Sequence, residues 1–222
     1  MVTKSITGTF AILLAAAVAL SAYYYMALSG FGSSTCSVSP SSEGMRVDRT
    51  TGFEFPPSYK FKVGNLSILG VGTRKKAVIN VYSVGFYGNK AVTKAIEGKS
   101  GAAASKAVIS SKGSRAALLT MAMGVGAEKM AEALTNIEGV KQPTKDAFGS
   151  MIMDGVGGKL KKGEHFTLEW KGSDTVIASA RGKVLGEMKD KDLFVGLLNV
   201  YLGPKTVSPS LRANIANIGV VE

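Results

Sequence analysis

The stretch 70-GVGTRKKAVINVYSVGFYG-88 holds two strand-like pieces joined by a basic, turn-sized connection. The second piece alternates. Val78, Asn80, Tyr82, Val84 and Phe86 fall on one face, and Ala77, Ile79, Val81, Ser83, Gly85 and Tyr87 on the other. A period of two over that length predicts a strand with distinct faces. Arg74 stands just before it, so a guanidinium and the phenol of Tyr82 are candidates to work together. The glycines of "GVGTR" match no phosphate-cradling fingerprint, because the segment does not open a helix.

Outward from this hairpin the pattern is mixed. "YKFKVGN" and "LSILGVG" read as short strands, and "AVTKAIEG" as a short helix stopped by Gly98. "RAALLTMAM" (115–123) reads as a strand by its flanking glycines, although an apolar run of that length also suits a helix. "GAEKMAEALTNIEG" is an amphipathic helix with Met130, Leu134 and Ile137 on one side. "PTKDAFGSMIMDGVGG" is another, with Pro143 in its first turn. Phe166, Leu168 and Trp170 alternate before the turn "KGSD", and Val176, Ala178 and Ala180 follow on a returning strand, with a third short strand after them. "DKDLFVGLLNVYLG" and "VSPSLRANIANIG" close the chain as helices, the latter with Ser208 as N-cap and Pro209 behind it. Strands and helices in blocks predict an α+β domain, an antiparallel sheet with helices packed on one face.

The chain has 222 residues, 45% of them hydrophobic, enough for one sizeable core over residues 52–222. A formal net charge of +11 favours anionic partners. The cations are scattered and no aromatic-rich basic motif accompanies them, so nucleic acid is not the expected partner. Cys36 is the single cysteine and His165 the single histidine. An internal disulfide, a Cys/His zinc site and a histidine-based triad therefore lack their parts, and no metal or cofactor is expected.

Residues Ile6 to Leu28 carry no charge and match the ~20 residues of helix that cross a bilayer. Lys4 precedes them, and Tyr23, Tyr24 and Tyr25 sit at the far end, where aromatic rings favour the interface. Residues 1–28 thus read as an N-terminal apolar helix, either an uncleaved anchor or a targeting segment cut near its end, with plastid or secretory entry both open. A buried core helix is the third reading. Residues 29–51, rich in Ser, Thr and Gly, read as a flexible linker. Membrane association or organelle targeting is the localisation these features predict.

Taken in order, "LGVGTRKKAVINVYSVGFYG", "AEKMAEAL", "LKKGEHFTLEWKGSDTVIASARGKVLGEM" and "YLGPKTVSPSLRANI" resemble the chalcone isomerase family, from about Gly52 to Ile218. The resemblance implies an open-faced β-sandwich with helices layered on a large antiparallel sheet. True chalcone isomerases cyclise a chalcone to a flavanone, and both the attacking oxyanion and the forming enolate need fixed donors. Arg74 matches the family's pocket arginine. The strand threonine of true isomerases falls at Tyr82, and a late threonine falls at Val200. Their helix carries Tyr, Lys three later and Asn four after that. Anchoring on Lys129 puts Gly126 and Ala133 at the other positions, and anchoring on Asn136 puts Lys129 and Glu132 there. No register restores the set, so catalytic residues are unassigned.

Arg74 with Tyr82 resembles the fatty-acid-binding branch, where the pair would grip a carboxylate above an apolar tunnel; a guanidinium fork and a phenol both donate to such a headgroup. Met121, Met123, Met130, Met151 and Met153 are candidates to line that tunnel, or simple core residues. The expected function is binding of a fatty acid or similar amphiphilic acid without efficient cyclisation. The alternatives are an isomerase or intramolecular lyase acting on a phenolic or enone substrate, and a non-catalytic helper of a partner enzyme.

Overall fold

The computed structural model describes residues 44–217. Seven strands form one antiparallel sheet: β3 (Ser58–Phe61), β4 (Gly64–Lys76), β5 (Ile79–Gly88), β6 (Arg115–Met121), β9 (His165–Lys171), β10 (Thr175–Ala180) and β11 (Lys183–Lys189). Their spatial order is β11-β10-β9-β6-β5-β4-β3. Two short ribbons flank it, β1 (Arg46–Val47) with β2 (Glu54–Phe55), and β7 (Val125–Gly126) with β8 (Lys159–Leu160). The helices are α1 (Lys90–Ala95), α2 (Gly101–Ser110), α3 (Ala127–Thr135), α4 (Gln142–Val156), α5 (Lys191–Leu202) and α6 (Pro209–Asn214). The α+β architecture expected from the sequence is the one observed.

The alternation of β5 sorts side chains as read. Tyr82, Val84 and Phe86 enter the main core with Phe166, Leu168, Trp170 and the inner faces of the helices. Tyr87 faces the opposite side, where a smaller cluster gathers Phe55, Phe61, Leu66, Val71 and Leu118. Strand β6 is central, and all seven of its residues are buried. A strand covered on both faces shows no alternation, which is why 115–123 read ambiguously.

The glycines of "GVG" are explained by packing. A Cβ on Gly72 would lie 2.2 Å from the backbone nitrogen of Leu211, and one on Gly70 would lie 2.8 Å from the carbonyl oxygen of Asn214. Helix α6 therefore rests its backbone directly on β4. Strand β3 pairs with β4 only from Gly64 to Ser67. Beyond that, the outer edge of β4 is satisfied by the closing segment. Ser208 Oγ donates to the Thr73 carbonyl (3.0 Å), Thr73 N–H donates to Ser210 Oγ (3.0 Å), and Asn214 Nδ2 donates to the Val71 carbonyl (3.2 Å). A sheet edge that would otherwise be open is covered.

The structure departs from the sequence reading in two places. Helix α2 is announced by no pattern in the sequence. It is built of Ala and Ser and buries only Ala104, Ser105 and Val108, so it carries little apolar periodicity. The segment expected to be linker up to residue 51 already pairs at Arg46–Val47, and Asp48 is buried. The expected anchor, 1–28, lies outside the described residues. Among the described residues no helix is long and apolar enough to cross a membrane.

Candidate functional site

The register of β4 and β5 places Arg74 directly opposite Tyr82. Directly opposed residues share a face, so both point to the helix side. The Arg74 Cζ sits 5.7 Å from the centre of the Tyr82 ring, within cation–π range. The register shifts between Arg74 and Lys75. Arg74 is half-buried, whereas Lys75 and Lys76 are exposed.

A third polar group joins the pair. The Tyr201 hydroxyl lies 3.4 Å from that of Tyr82, and both rings are buried. Tyr201 comes from α5, whose start is fixed by Asp190, the N-cap carboxylate accepting from Leu193 N–H at 2.8 Å. The helix is held to the sheet by Trp170 Nε1 donating to the Phe194 carbonyl (3.1 Å), and the Trp170 ring meets Tyr201 edge-on. The sequence reading missed Tyr201. It stands beside Val200, at the end of the apolar stripe Phe194, Leu197, Leu198, and a tyrosine at that spacing reads as core.

The electrostatics favour a cationic Arg74 and a neutral Tyr201. Burial works against the Arg74 charge, but the phenol oxygens of Tyr82 and Tyr201 outweigh it and raise the guanidinium above its ordinary value. Burial, with Tyr82 adding to it, pushes Tyr201 well above the ordinary phenol range. None of the ion pairs among the described residues includes Arg74. Among the described residues the guanidinium thus has no carboxylate partner.

Arg74 forms part of the wall of a pocket of about 610 Å³. Lys75, Lys76 and Thr73 continue that wall along β4, Thr50 comes from the β1–β2 loop, Thr206 and Val207 from the α5–α6 connection, and Pro209 and Ser210 from the first turn of α6. The lining residues bring four hydroxyls and three cations as possible partners for an anionic headgroup, while much of the wall is formed by their carbon atoms and by Val207 and Pro209. The apolar layer begins behind Tyr82, where Met121 stands opposite it on β6. Of the methionines considered, Met121 and Met130 are buried in the main core, Met151 packs partly against it, and Met123 and Met153 are exposed.

The far face of the same strands anchors the pocket. Thr73 and Ser83 are paired in register, and Asp48 accepts from both hydroxyls, at 2.5 Å and 2.6 Å. The same carboxylate takes the Thr50 N–H (3.1 Å) and the Thr51 hydroxyl (3.2 Å). This ties the β1–β2 loop to the sheet beneath the pocket. The isomerase-type helix positions lie on α3, which turns Ala127, Met130, Ala131 and Leu134 inward. Lys129 and Glu132 pair with each other at the surface (2.8 Å), so neither reaches a buried site. His165 is exposed and shares a hydrogen bond with Thr120 (3.1 Å). Among the described residues no cluster of three or more His, Cys, Asp or Glu could hold a metal ion.

Comparison with protein families matches a chalcone isomerase-like model to residues 47–215. The chain belongs to the chalcone isomerase-like family. Among solved structures it is similar to the crystal structure of a fatty-acid binding protein of Arabidopsis thaliana. The TM-score is 0.61 at 21% identity, over 76% of this chain and 93% of that one. At that identity the likeness establishes the fold. A search of curated protein sequences returns no match.

Proposed function

We propose that this chain binds a fatty acid or a similar amphiphilic acid, with Arg74 and Tyr82 holding the carboxylate. One observation carries the reading: a half-buried guanidinium at a pocket wall, stacked on a phenol, with no carboxylate among the described residues paired to it. A buried-side cation without an internal counter-ion is best satisfied by an anion from outside. The headgroup occupies the hydroxyl-lined pocket, and the chain runs inward past Tyr82. Met121 and Met130 are unbranched and can yield to it. The apolar inner face of α3 offers no donor for an enolate, so efficient chalcone ring closure is not part of the proposal. Residues 1–28 would keep the protein at a membrane or direct it into an organelle.

The test is a titration of a long-chain fatty acid and its methyl ester into the wild type and three variants. The acid should bind and the ester should bind much more weakly. Arg74→Ala should cost about 1.5–3 kcal/mol, the worth of a charge-assisted bond, and Tyr82→Phe about 0.5–1.5 kcal/mol. Arg74→Lys should recover part of the loss, because an ammonium lacks the planar fork. Equal binding of acid and ester, or an unchanged Arg74→Ala variant, would return Arg74 to an ordinary role at the sheet end.

A further inference from the structure

The turn between β4 and β5 is unusual for a soluble hairpin. Its two loop residues are Ala77 and Val78, positions where Gly, Asn or Asp normally serve. Ala77 has φ 52°, a left-handed backbone that an L-residue with a Cβ adopts at a cost. Val78 is 93% exposed and Ile79 is 52% exposed. Neither is needed by either core. The local choices thus disfavour the turn itself and project two branched aliphatic side chains outward.

Their surroundings are cationic. Lys75 and Lys76 immediately precede the turn, are exposed, and line the pocket that contains Arg74. Met123 is 40% exposed at the same end of the sheet, where the Ala122 N–H bonds to the Val81 carbonyl. Glu132 is the acidic group near enough to feel Lys76, and it is paired to Lys129 at 2.8 Å. An aliphatic tip preceded by two exposed lysines matches a bilayer whose headgroups are anionic and whose acyl region lies just beneath.

We propose that the β4–β5 hairpin tip docks on an anionic lipid bilayer, with Val78 and Ile79 entering the acyl boundary and Lys75 and Lys76 on the headgroups. This puts the pocket mouth at the membrane surface. The inference stands on the tip and not on what the pocket holds. It is also separate from any role of residues 1–28.

The experiment uses the full chain carrying Val78→Trp. Trp170 is fully buried, so its emission reports the intact fold while the introduced indole reports the tip. Vesicles of phosphatidylcholine, with and without phosphatidylserine, are prepared with brominated acyl chains. The expected result is a blue shift and bromine quenching of the tip in the serine-lipid vesicles, and little of either in the neutral ones. Adding Lys75→Ala and Lys76→Ala should weaken that partition about thirtyfold, at about 1 kcal/mol per lysine near an anionic surface. Vesicle binding of the chain without quenching at the tip would overturn the proposal. So would equal quenching in neutral vesicles. A blue shift that appears without lipid and grows with protein concentration would mean that a second copy covers the tip, and would overturn it as well.

Discussion

Tyr201 shows how one buried phenol joins function to stability. Its hydroxyl has Tyr82 as partner, and burial resists its ionisation. Tyr87, on the other face, is likewise pushed up by burial. In the unfolded chain both phenols ionise near pH ~10. Above that pH the unfolded state loses protons that the folded state retains, so stability is full below about pH 10 and falls as pH rises. Tyr201→Phe removes one such group. Its denaturation midpoint should therefore decline less steeply than that of the wild type between neutral pH and about pH 11. Parallel declines would show that Tyr201 is not held neutral by the fold. The arginines differ for a related reason. Arg115 is 1% exposed, and burial pulls its guanidinium down to about 10. Its Nη atoms nonetheless donate to the Val108, Ile109 and Ser111 carbonyls, closing the end of α2. Arg115 is occupied by the fold, whereas no such set of carbonyls among the described residues meets Arg74.

At the scale of elements, the contact between α6 and β4 joins the edge of the sheet to the pocket. Gly72 lets the α6 backbone touch the strand, and Ser208 and Ser210 of the same segment bond Thr73. Pro209 and Ser210 also line the pocket. Gly72→Ala places a methyl group against backbone rather than against a movable side chain, so α6 must shift. A loss of about 1–3 kcal/mol is expected by urea unfolding, with weakened acid binding alongside it. Gly139→Ala is a useful contrast. Gly139 has φ 80° and nothing near its Cβ position, so its effect should be confined to backbone strain and leave acid affinity unchanged. If Gly72→Ala keeps both stability and affinity, the close approach is not what positions the pocket wall.

Across the whole folded unit, the sheet is covered on one face by helices and on the other by the segment that contains β1 and β2. Phe55 fits against Gly85, where a Cβ would come within 2.5 Å of its ring. Asp48 binds the hydroxyls of Thr73 and Ser83 from the same side. A chain beginning at Gly44 retains this cover, and one beginning at Gly52 loses β1 and Asp48 together. The shorter chain leaves two buried hydroxyls without their acceptor, at about 1–3 kcal/mol for each unsatisfied group. It should melt at a clearly lower temperature than the chain from Gly44. Equal melting temperatures would mean that the far face contributes little and that the folded unit effectively starts later.

The sequence alone determined the strand–turn–strand of 70–88, the two-faced alternation of β5, the late hairpin, the capped helices and the α+β class. Each of these is set by short-range patterns: a period of two, a period near 3.6, or a capping residue beside an apolar run. Its family resemblance also singled out Arg74 and Tyr82, and the register of the hairpin then sets the two directly opposite each other. Tertiary structure alone brought Tyr201 to Tyr82, since the two are 119 residues apart and nothing local distinguishes that tyrosine from its apolar stripe. It alone placed Asp48 beneath the pocket, made α2 a helix despite its weak pattern, and gave Gly70 and Gly72 a reason to be glycine. In each of these cases the deciding contact comes from a distant part of the chain, and long-range packing leaves no period for a local reading to find.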